Sequence, residues 1–388
     1  MKIGILTYWQ SDDNYGQLLQ CYALQIFLRD WGHDAYLIRY APMTPLPSLK
    51  KRIKNLINNP SRLLIRLRIQ FHKNKELKYE KKLSTINKIN NPKRCFSQFR
   101  SENLKMTDQV YASYEELKAN PPKADVYIVG SDQVWHDSYS VTSIKGWFLQ
   151  FGRSDIIKIS YAASIGRNLL DYEIPLFSSF LQSFKYVSVR EESAYELCMN
   201  NGIKAQICVD PTMLLSMGFY QKMMKAGGGD EKFAFLYYLN IKTIDEIYYN
   251  LIRDYIDEKG LKLKYVTGSG YFQARDLIEG HSSILATIPE WIGLINGAQC
   301  VFTTSFHGTV FAILLHRPFL TIGLRDNNSC SNIRMENLLS RLGLSERIFA
   351  PQKNIAEQMD APINWTDVEK KIAQMRLESV KYLQNSLN

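Results

Sequence analysis

Short apolar runs that end in small or polar residues recur along the chain, and helical stretches follow several of them. Residues 2–7 predict a buried strand, residues 18–31 an amphipathic helix and residues 35–40 a second strand. A strand, a helix and a second strand in this order form a unit of a parallel sheet. The polar loop before the helix then lies at the carboxyl end of a strand, where open α/β sheets bind ligands.

The same pattern continues through two halves of the chain. Four further runs of the first half each predict a strand that breaks into small or polar residues: 124–136, 158–166, 186–198 and 205–215. In the second half, strands are predicted at 233–239, 262–268, 300–304 and 318–323, and helices at 243–260, 289–298, 308–316, 333–344 and 365–387. We therefore predict an α/β fold of two facing, doubly wound, Rossmann-like domains. The predicted boundaries are 1–224 and 233–388, joined by a Gly-rich linker at 225–232. The last helix is free to pack back on the first domain.

Length and composition agree with this organisation and exclude several other classes of protein. A chain of 388 residues is too long for one ordinary hydrophobic core. No stretch approaches the roughly 20 apolar residues of a membrane span, and the N-terminus lacks the apolar region of a secretory signal. The six cysteines form no CxxC pair and have no metal-ligand spacing. We expect a cytoplasmic protein with reduced thiols and no metal site.

All of the excess positive charge lies in one segment. Residues 50–82 contain twelve Lys or Arg and two Glu, whereas the rest of the chain contains 36 basic and 36 acidic residues. Basic residues mix with Leu and Ile at near-helical spacing on both sides of Pro60, which predicts two short amphipathic helices.

Such helices favour an anionic membrane surface, so residues 48–82 are predicted to hold the protein on the inner face of the membrane. The alternative is that their apolar stripe packs on the first domain. Nucleic acid is not an expected partner, because the sequence has no aromatic stacking platform, zinc finger or helix-turn-helix pattern.

A junction between a predicted strand and a predicted helix carries Thr303, Thr304, Ser305 and His307. In the first turn of a helix, unpaired backbone N–H groups and the helix dipole favour an anion. Ser305 or Thr304 would cap the helix, and Gly308 would permit close approach of backbone or ligand. His307 could then exchange a proton with a bound molecule near neutral pH. The alternative is a turn residue whose ring is satisfied by other protein groups.

Six motifs occur in the following order: DNYGQLLQCYALQ (13–25), VGSDQVW (129–135), SYAASIG (160–166), VSVREESAYEL (187–197), VDPTMLL (209–215) and TTSFHGTVFAILLHRPF (303–319). With these motifs the chain resembles the polysaccharide pyruvyl transferase family along nearly its whole length. The resemblance implies a two-domain fold similar to GT-B glycosyltransferases. It also implies transfer of the pyruvyl unit of phosphoenolpyruvate to a sugar of a surface polysaccharide, or of its lipid-linked precursor, as a cyclic ketal. Phosphoenolpyruvate would be a co-substrate, and no cofactor is expected.

This reaction needs a proton donor, a proton acceptor and cationic groups for a donor that carries a phosphate and a carboxylate. His307 is the expected general acid. Asp132 is the expected base or sugar-hydroxyl acceptor, with an Asx-turn as the alternative. Arg190 is the leading anion-binding residue, and its alternative is a solvated salt bridge with Glu191 or Glu192.

Further candidates lie in polar loops at predicted strand ends. Asn14, Tyr15 and Gly16 would bind the acceptor sugar or a phosphate, unless they form only a capping turn. Ser131 and Gln133 flank Asp132 and are likewise expected to bind the acceptor sugar or a phosphate. Ser164 is a weaker candidate, because a small residue there could simply permit close packing.

One position departs from the family pattern. Several members carry an arginine two residues before the histidine, where the resemblance implies contact with phosphoenolpyruvate, and here that residue is Ser305. Arg325 and Arg334 lie in the correct half to replace it. Two rival functions remain open at this level: a GT-B glycosyltransferase that uses a nucleotide-sugar donor, and a binding protein that has lost turnover.

Overall fold

The computed structural model describes residues 1–42, 88–136, 141–167, 169, 171–225, 231–241, 243–268, 278–325, 329 and 332–388. The basic segment 48–82 and the central linker residues 226–230 lie outside these ranges. The membrane surface and the linker therefore stay predictions.

The first half of the chain forms a parallel sheet. Its strands are β1 (Lys2–Leu6), β2 (Asp34–Tyr40), β3 (Met106–Tyr111), β4 (Val126–Val129) and β5 (Ile157–Ser160), in the order β3-β2-β1-β4-β5. A parallel pair, β6 (Val187–Val189) and β7 (Ala205–Ile207), continues beyond β5 through isolated bridges. The helices are α1 (Tyr15–Asp30), α2 (Phe96–Asn103), α3 (Tyr114–Ala119), α4 (Val141–Trp147), α5 (Ile174–Leu181), α6 (Glu192–Asn200) and α7 (Met217–Met223).

The second half forms a separate parallel sheet. Its strands are β8 (Phe233–Tyr238), β9 (Lys262–Thr267), β10 (Cys300–Thr303) and β11 (Phe319–Thr321), in the order β11-β10-β8-β9. The helices are α8 (Tyr249–Glu258), α9 (Ile288–Gly297), α10 (Phe306–Leu314), α11 (Ile333–Leu342), α12 (Ile355–Asp360) and α13 (Trp365–Leu387). The prediction of an α/β fold with two parallel sheets is confirmed.

The two halves share one hydrophobic core. Every residue of α10 is buried, and its Val310 belongs to the same apolar cluster as Leu18 of α1. The last helix also joins the halves. Ser379 of α13 accepts a hydrogen bond from the backbone N–H of Val209 (2.9 Å), and the hydroxyl of Tyr382 donates to the carbonyl of Ser160 (2.7 Å).

Three local differences from the sequence patterns have physical reasons. Helix α1 begins at Tyr15 rather than residue 18, because the Asn14 side chain caps it by accepting from the N–H of Gln17 (3.1 Å). Strand β3 was not predicted, since it is an edge strand with exposed side chains and no apolar run. The helix predicted at 243–260 is broken at Tyr248, which has a left-handed backbone (φ 53°).

Candidate active site

The loop that follows β10 brings His307 to the start of a buried helix. The Ser305 side chain caps α10 by accepting from the N–H of Gly308 (3.3 Å), as predicted from the sequence. Thr304 binds this loop to the end of β8 through both the N–H and the carbonyl of Leu239 (2.7 and 3.0 Å). His307, the second residue of α10, is 5 % exposed.

The glycine after this histidine is required by protein packing. A β-carbon on Gly308 would lie 2.3 Å from Oγ1 of Thr303. The close approach that the sequence predicted at Gly308 is therefore made by strand β10 of the protein.

A buried carboxylate from the first half faces the imidazole. Nε2 of His307 lies 3.4 Å from Oδ2 of Asp210, which is an ion-pair distance without the alignment of a good hydrogen bond. The same oxygen accepts from Nη1 of Arg190 (2.7 Å) and from Oγ of Ser131 (2.9 Å). The other oxygen accepts from the N–H and the hydroxyl of Thr212 (3.0 and 2.7 Å). Asp210 thus joins two predicted site residues to the histidine.

The surroundings of Asp210 keep it ionised. Burial alone would raise its pKa, but the electrostatic attraction of His307, the charge of Arg190 and the hydrogen bonds from Thr212 together lower the pKa below its ordinary value. The imidazole of His307 therefore faces a carboxylate and not a carboxylic acid.

Two arginines are held together on one aromatic ring. The guanidinium carbons of Arg190 and Arg334 lie 4.4 and 5.8 Å from the ring centre of Phe306. Burial lowers the pKa of Arg334, and the nearby charge of Arg190 lowers it further. Among the described residues, Nε of Arg334 and both Nε and Nη2 of Arg190 have no hydrogen-bond partner. Buried donors that carry two like charges form a suitable site for an anion.

His307, Phe306 and Arg334 line a cleft of about 120 Å³ between the two halves, whereas Arg190 and Asp210 line a smaller pocket that shares Phe306 and Arg334 with it. The first half contributes Asn14, Asp132 and Gln133, and the second half contributes Ser305, His307 and Arg334. The N-termini of α1 and α10, capped by Asn14 and Ser305, both open on this cleft. Their backbone N–H groups and dipoles add to the preference for an anion.

The remaining residues of the N-terminal loop have different surroundings. Tyr15 is fully buried and does not line the cleft, and its hydroxyl donates to the carbonyl of Ala286 (2.6 Å). A β-carbon on Gly16 would lie 2.1 Å from Cγ and Nδ1 of His307. The three predicted loop residues thus separate into a cleft residue (Asn14), a core residue (Tyr15) and a residue that packs on the imidazole (Gly16).

Asp132 is both a turn residue and a cleft residue. Its backbone is left-handed (φ 77°), and Oδ1 accepts from the N–H of Gln133 (2.9 Å). The Nη1 atom of Arg334 lies 3.9 Å from Oδ1. Asp132 therefore forms the turn contact and also lines the cleft.

Ser164 contacts the buried carboxyl group of Glu191, which the sequence indicates only as a possible partner of Arg190. Its hydroxyl donates to Oε1 of Glu191, and Oε2 has no hydrogen-bond partner among the described residues. Within the described ranges, no basic group forms an ion pair with Glu191 at 4.0 Å or less. Burial raises the pKa of Glu191, although the charge of Arg190 and the Ser164 hydrogen bond oppose the shift.

Two of the predicted arginines differ in position. Arg325 is exposed, and its guanidinium lies over the ring of Tyr248 (4.1 Å), outside the cleft. Of the two candidates for replacing the cation missing at Ser305, Arg334 alone lines the cleft.

Asp210 and Thr212 were also missed, and one signal could have revealed them. They stand in the VDPT motif just after β7, at the carboxyl end of a strand like Arg190 after β6. The ion-pair partner of Arg190 is Asp210, and the alternative of a solvated salt bridge with Glu191 or Glu192 is not found among the described residues.

In the part of the chain that the structure describes, no three or more His, Cys, Asp or Glu side chains are arranged to hold a metal ion. No helix within the same ranges has the length and apolar character needed to cross a bilayer.

Solved structures with a similar fold are GT-B enzymes. A candidate UDP-N-acetylglucosamine 2-epimerase from Listeria monocytogenes has a TM-score of 0.50 and 9 % identity, over 97 % of this chain and 90 % of that chain. The UDP-N-acetylglucosamine 2-epimerase of Rickettsia bellii has a TM-score of 0.47 and 12 % identity, over 99 % and 98 % of the two chains. UGT2 of Phytolacca americana has a TM-score of 0.41 and 11 % identity, over 99 % and 98 %. The first likeness supports the GT-B fold and nothing about the reaction.

No curated protein matches the sequence at a significant level. The polysaccharide pyruvyl transferase family matches it over residues 14–327. This range includes Asn14, Asp132, Arg190, Asp210 and His307. The chain therefore belongs to the polysaccharide pyruvyl transferase family and is a transferase of polysaccharide biosynthesis.

Proposed function

We propose that this protein transfers the pyruvyl unit of phosphoenolpyruvate to two hydroxyls of one sugar in a surface polysaccharide or its lipid-linked precursor. The product is a cyclic ketal. The observation that carries the proposal is a single cleft that contains an imidazole beside a buried carboxylate and a guanidinium with an unpartnered N–H group.

Phosphoenolpyruvate carries its phosphate and carboxylate on adjacent positions of a small molecule. Arg334 is the proposed anchor for one of these anions, in place of the arginine that relatives have at Ser305. The N–H groups at the starts of α1 and α10 are available for the other. Arg190, which also contacts the ring of Phe306, keeps Asp210 in position and adds positive potential.

The reaction has two bond-forming steps. The methylene carbon of phosphoenolpyruvate takes a proton while a sugar hydroxyl oxygen bonds to the adjacent carbon and loses its own proton. The C–O bond to phosphate then breaks, and a second hydroxyl closes the ring. The sugar loses two hydroxyl protons. One of them replaces the proton that the new methyl group has taken up, and the other leaves with inorganic phosphate. No oxidant, reductant or cofactor is required.

His307 is the proposed general acid. The ionised Asp210 beside it stabilises the imidazolium that must form before the methylene carbon is protonated. Asp132 lines the same cleft from the other half and is the proposed acceptor of the sugar-hydroxyl proton. Gln133 and Asn14 are available to bind other hydroxyls of the sugar.

An acceptor glycan that is built on a lipid carrier lies at the membrane surface. We retain the proposal that residues 48–82 hold the protein on an anionic membrane surface, since their charge and spacing favour it. Vesicle sedimentation, with and without anionic lipid, measures this association. Neutralising Lys50, Lys51, Arg52 and Lys54 should reduce it, and unchanged binding would contradict the proposal.

The function is tested by incubating the protein with phosphoenolpyruvate and candidate lipid-linked glycans. We expect release of inorganic phosphate and a mass increase of the glycan equal to pyruvic acid minus water. Isotope-labelled phosphoenolpyruvate should transfer its carbon label, and nucleotide sugars serve as controls. Incorporation of a sugar without pyruvate would instead identify a glycosyltransferase.

A further inference from the structure

We infer that Arg94 is a positioning residue for His307. Through Tyr15 it holds the start of α1 against the second half of the chain, and so fixes the backbone of Gly16 that confines the imidazole. This inference rests on the proposed role of His307 as the general acid.

Arg94 is fully buried in a short 3-10 helix that precedes α2. Its Nη1 atom donates to the Tyr15 hydroxyl (2.6 Å), and its guanidinium carbon lies 5.8 Å from the centre of the same ring. Its Nε and Nη2 atoms have no hydrogen-bond partner among the described residues, and no described carboxylate pairs with it. A buried charge in this condition is costly, and an apolar side chain of similar size would be better for stability. Stability therefore does not explain the arginine.

Tyr15 in turn contacts residues of the second half of the chain. Its hydroxyl donates to the carbonyl of Ala286, just before α9. Its ring stacks on Trp291 at 5.1 Å between centroids and meets the edge of Tyr237 at 5.8 Å. Tyr15, the first residue of α1, is therefore held by the hydrogen bond of its hydroxyl and by the stacking of its ring.

Gly16 follows Tyr15 in the first turn of α1, so a displacement of Tyr15 also displaces the backbone of Gly16. Its α-carbon lies against the imidazole so closely that a β-carbon would be 2.1 Å from the ring. The opposite side of the imidazole faces Asp210 at 3.4 Å. A shift of Tyr15 would therefore let the ring of His307 move away from the carboxylate. Errors of about 1 Å in such a position are enough to slow a reaction roughly a hundredfold.

The test compares the full-length protein with its Arg94→Met variant by two independent measurements. The first is the titration of the His307 imidazole by NMR, which does not depend on any reaction. The charged groups around this ring are Asp210 directly, Arg190 through Asp210, and Asp132 and Arg334 across the cleft. These four groups are unchanged in Arg94→Met, which removes the charge of Arg94 itself, whereas Tyr15→Phe removes no charge. A change in titration that both variants share therefore reports the position of the ring.

We expect Arg94→Met to keep or raise the melting temperature of the unmodified protein, to change the NMR titration of the imidazole, and to lower kcat about tenfold or more with little change in KM for phosphoenolpyruvate. Arg94→Lys should restore part of kcat. Arg347→Met is the matched control, since Arg347 is equally buried but donates only to carbonyls near α12. It should lower stability without changing the imidazole titration.

A folded Arg94→Met protein with unchanged imidazole titration and unchanged kcat would overturn the inference. If Arg94→Met does not fold, Tyr15→Phe replaces it, because that variant removes both hydrogen bonds and keeps the stacked ring. Unchanged imidazole titration and unchanged kcat in Tyr15→Phe would then overturn the inference. Failure of the unmodified protein to release phosphate from phosphoenolpyruvate would reject the proposed function alone, since the imidazole titration would still test Arg94.

Discussion

The α-carbon of Gly16 lies against the imidazole of His307, with no space for a β-carbon between them. The two residues come from opposite halves of the chain, and each is the second residue of a helix whose N-terminus opens on the cleft. The ring is therefore enclosed between Gly16 on one side and Asp210 on the other. Packing of α1 on α10 decides where the imidazole points.

Gly16→Ala should therefore damage the site although alanine favours helices. The added β-carbon would displace the imidazole, and we expect a loss of stability of about 1–3 kcal/mol, typical of overpacked cores, together with a large loss of kcat. Gly218→Ala is the matched control, because Gly218 is also the second residue of a helix and its β-carbon would meet only Oγ of Ser216 at 3.9 Å. It should be neutral or stabilising. Thermal unfolding and phosphate release measure both variants, and equal behaviour would contradict the packing argument.

Replacing the proposed acid should remove most of the turnover without unfolding the protein. His307→Gln is expected to lower kcat by about 10²–10⁴, the usual contribution of a general acid. His316→Gln is the control histidine, since His316 is partly exposed, stacks on Trp365 and pairs with Glu369 (2.8 Å) away from the cleft. A His307→Gln protein with full turnover would exclude the assigned role.

Binding of phosphoenolpyruvate should depend on Arg334 and not on Arg325. A hydrogen bond to a charged group contributes about 1.5–3 kcal/mol, so Arg334→Met should weaken binding roughly 10- to 100-fold. Arg325→Met should leave binding unchanged, because Arg325 lies over Tyr248 outside the cleft. Calorimetric titration with phosphoenolpyruvate compares the two, and an equal loss in both variants would point to nonspecific electrostatics.

The Asp210 carboxylate should make stability depend on acid pH. The pKa of Asp210 in the folded protein lies below its ordinary value of 3.8, so its contribution is present above that pH and is lost as the pH falls. Asp210→Asn leaves Arg190 buried without a carboxylate, and we expect a loss of about 3–5 kcal/mol near neutral pH. In urea unfolding, the difference from the unmodified protein should shrink below about pH 4. A constant difference down to pH 3 would contradict the assigned ionisation.

Glu191 predicts the opposite dependence. Its pKa is raised above the ordinary 4.5, so the folded state retains a proton that the unfolded state releases, and stability falls as pH rises above that value. Glu191→Gln keeps the acceptor for Ser164 and removes this penalty. The variant should therefore gain stability relative to the unmodified protein as the pH rises above 4.5, while Arg190 and Arg334 stay charged. A pH-independent difference would show that Glu191 is ionised in the folded protein.

Local sequence patterns predict the strands and helices that flank His307 and several of the site residues. Apolar runs and cap residues act locally, so the strand before Thr303, the helix cap at Ser305 and the position of His307 in the first turn followed from neighbouring residues alone. The placement of Asp132 at the end of a strand followed in the same way. These features need no knowledge of which strands become neighbours.

Which of these groups meet depends on how distant segments pack together. Asp210 reaches His307 because the β6–β7 pair extends the first sheet toward α10, and no local pattern contains that information. Arg334 and Arg325 have equivalent positions in the sequence argument, yet packing of α11 brings one to the cleft and leaves the other outside. Side-chain contacts between distant segments depend on sheet order and helix packing, which the whole chain sets together.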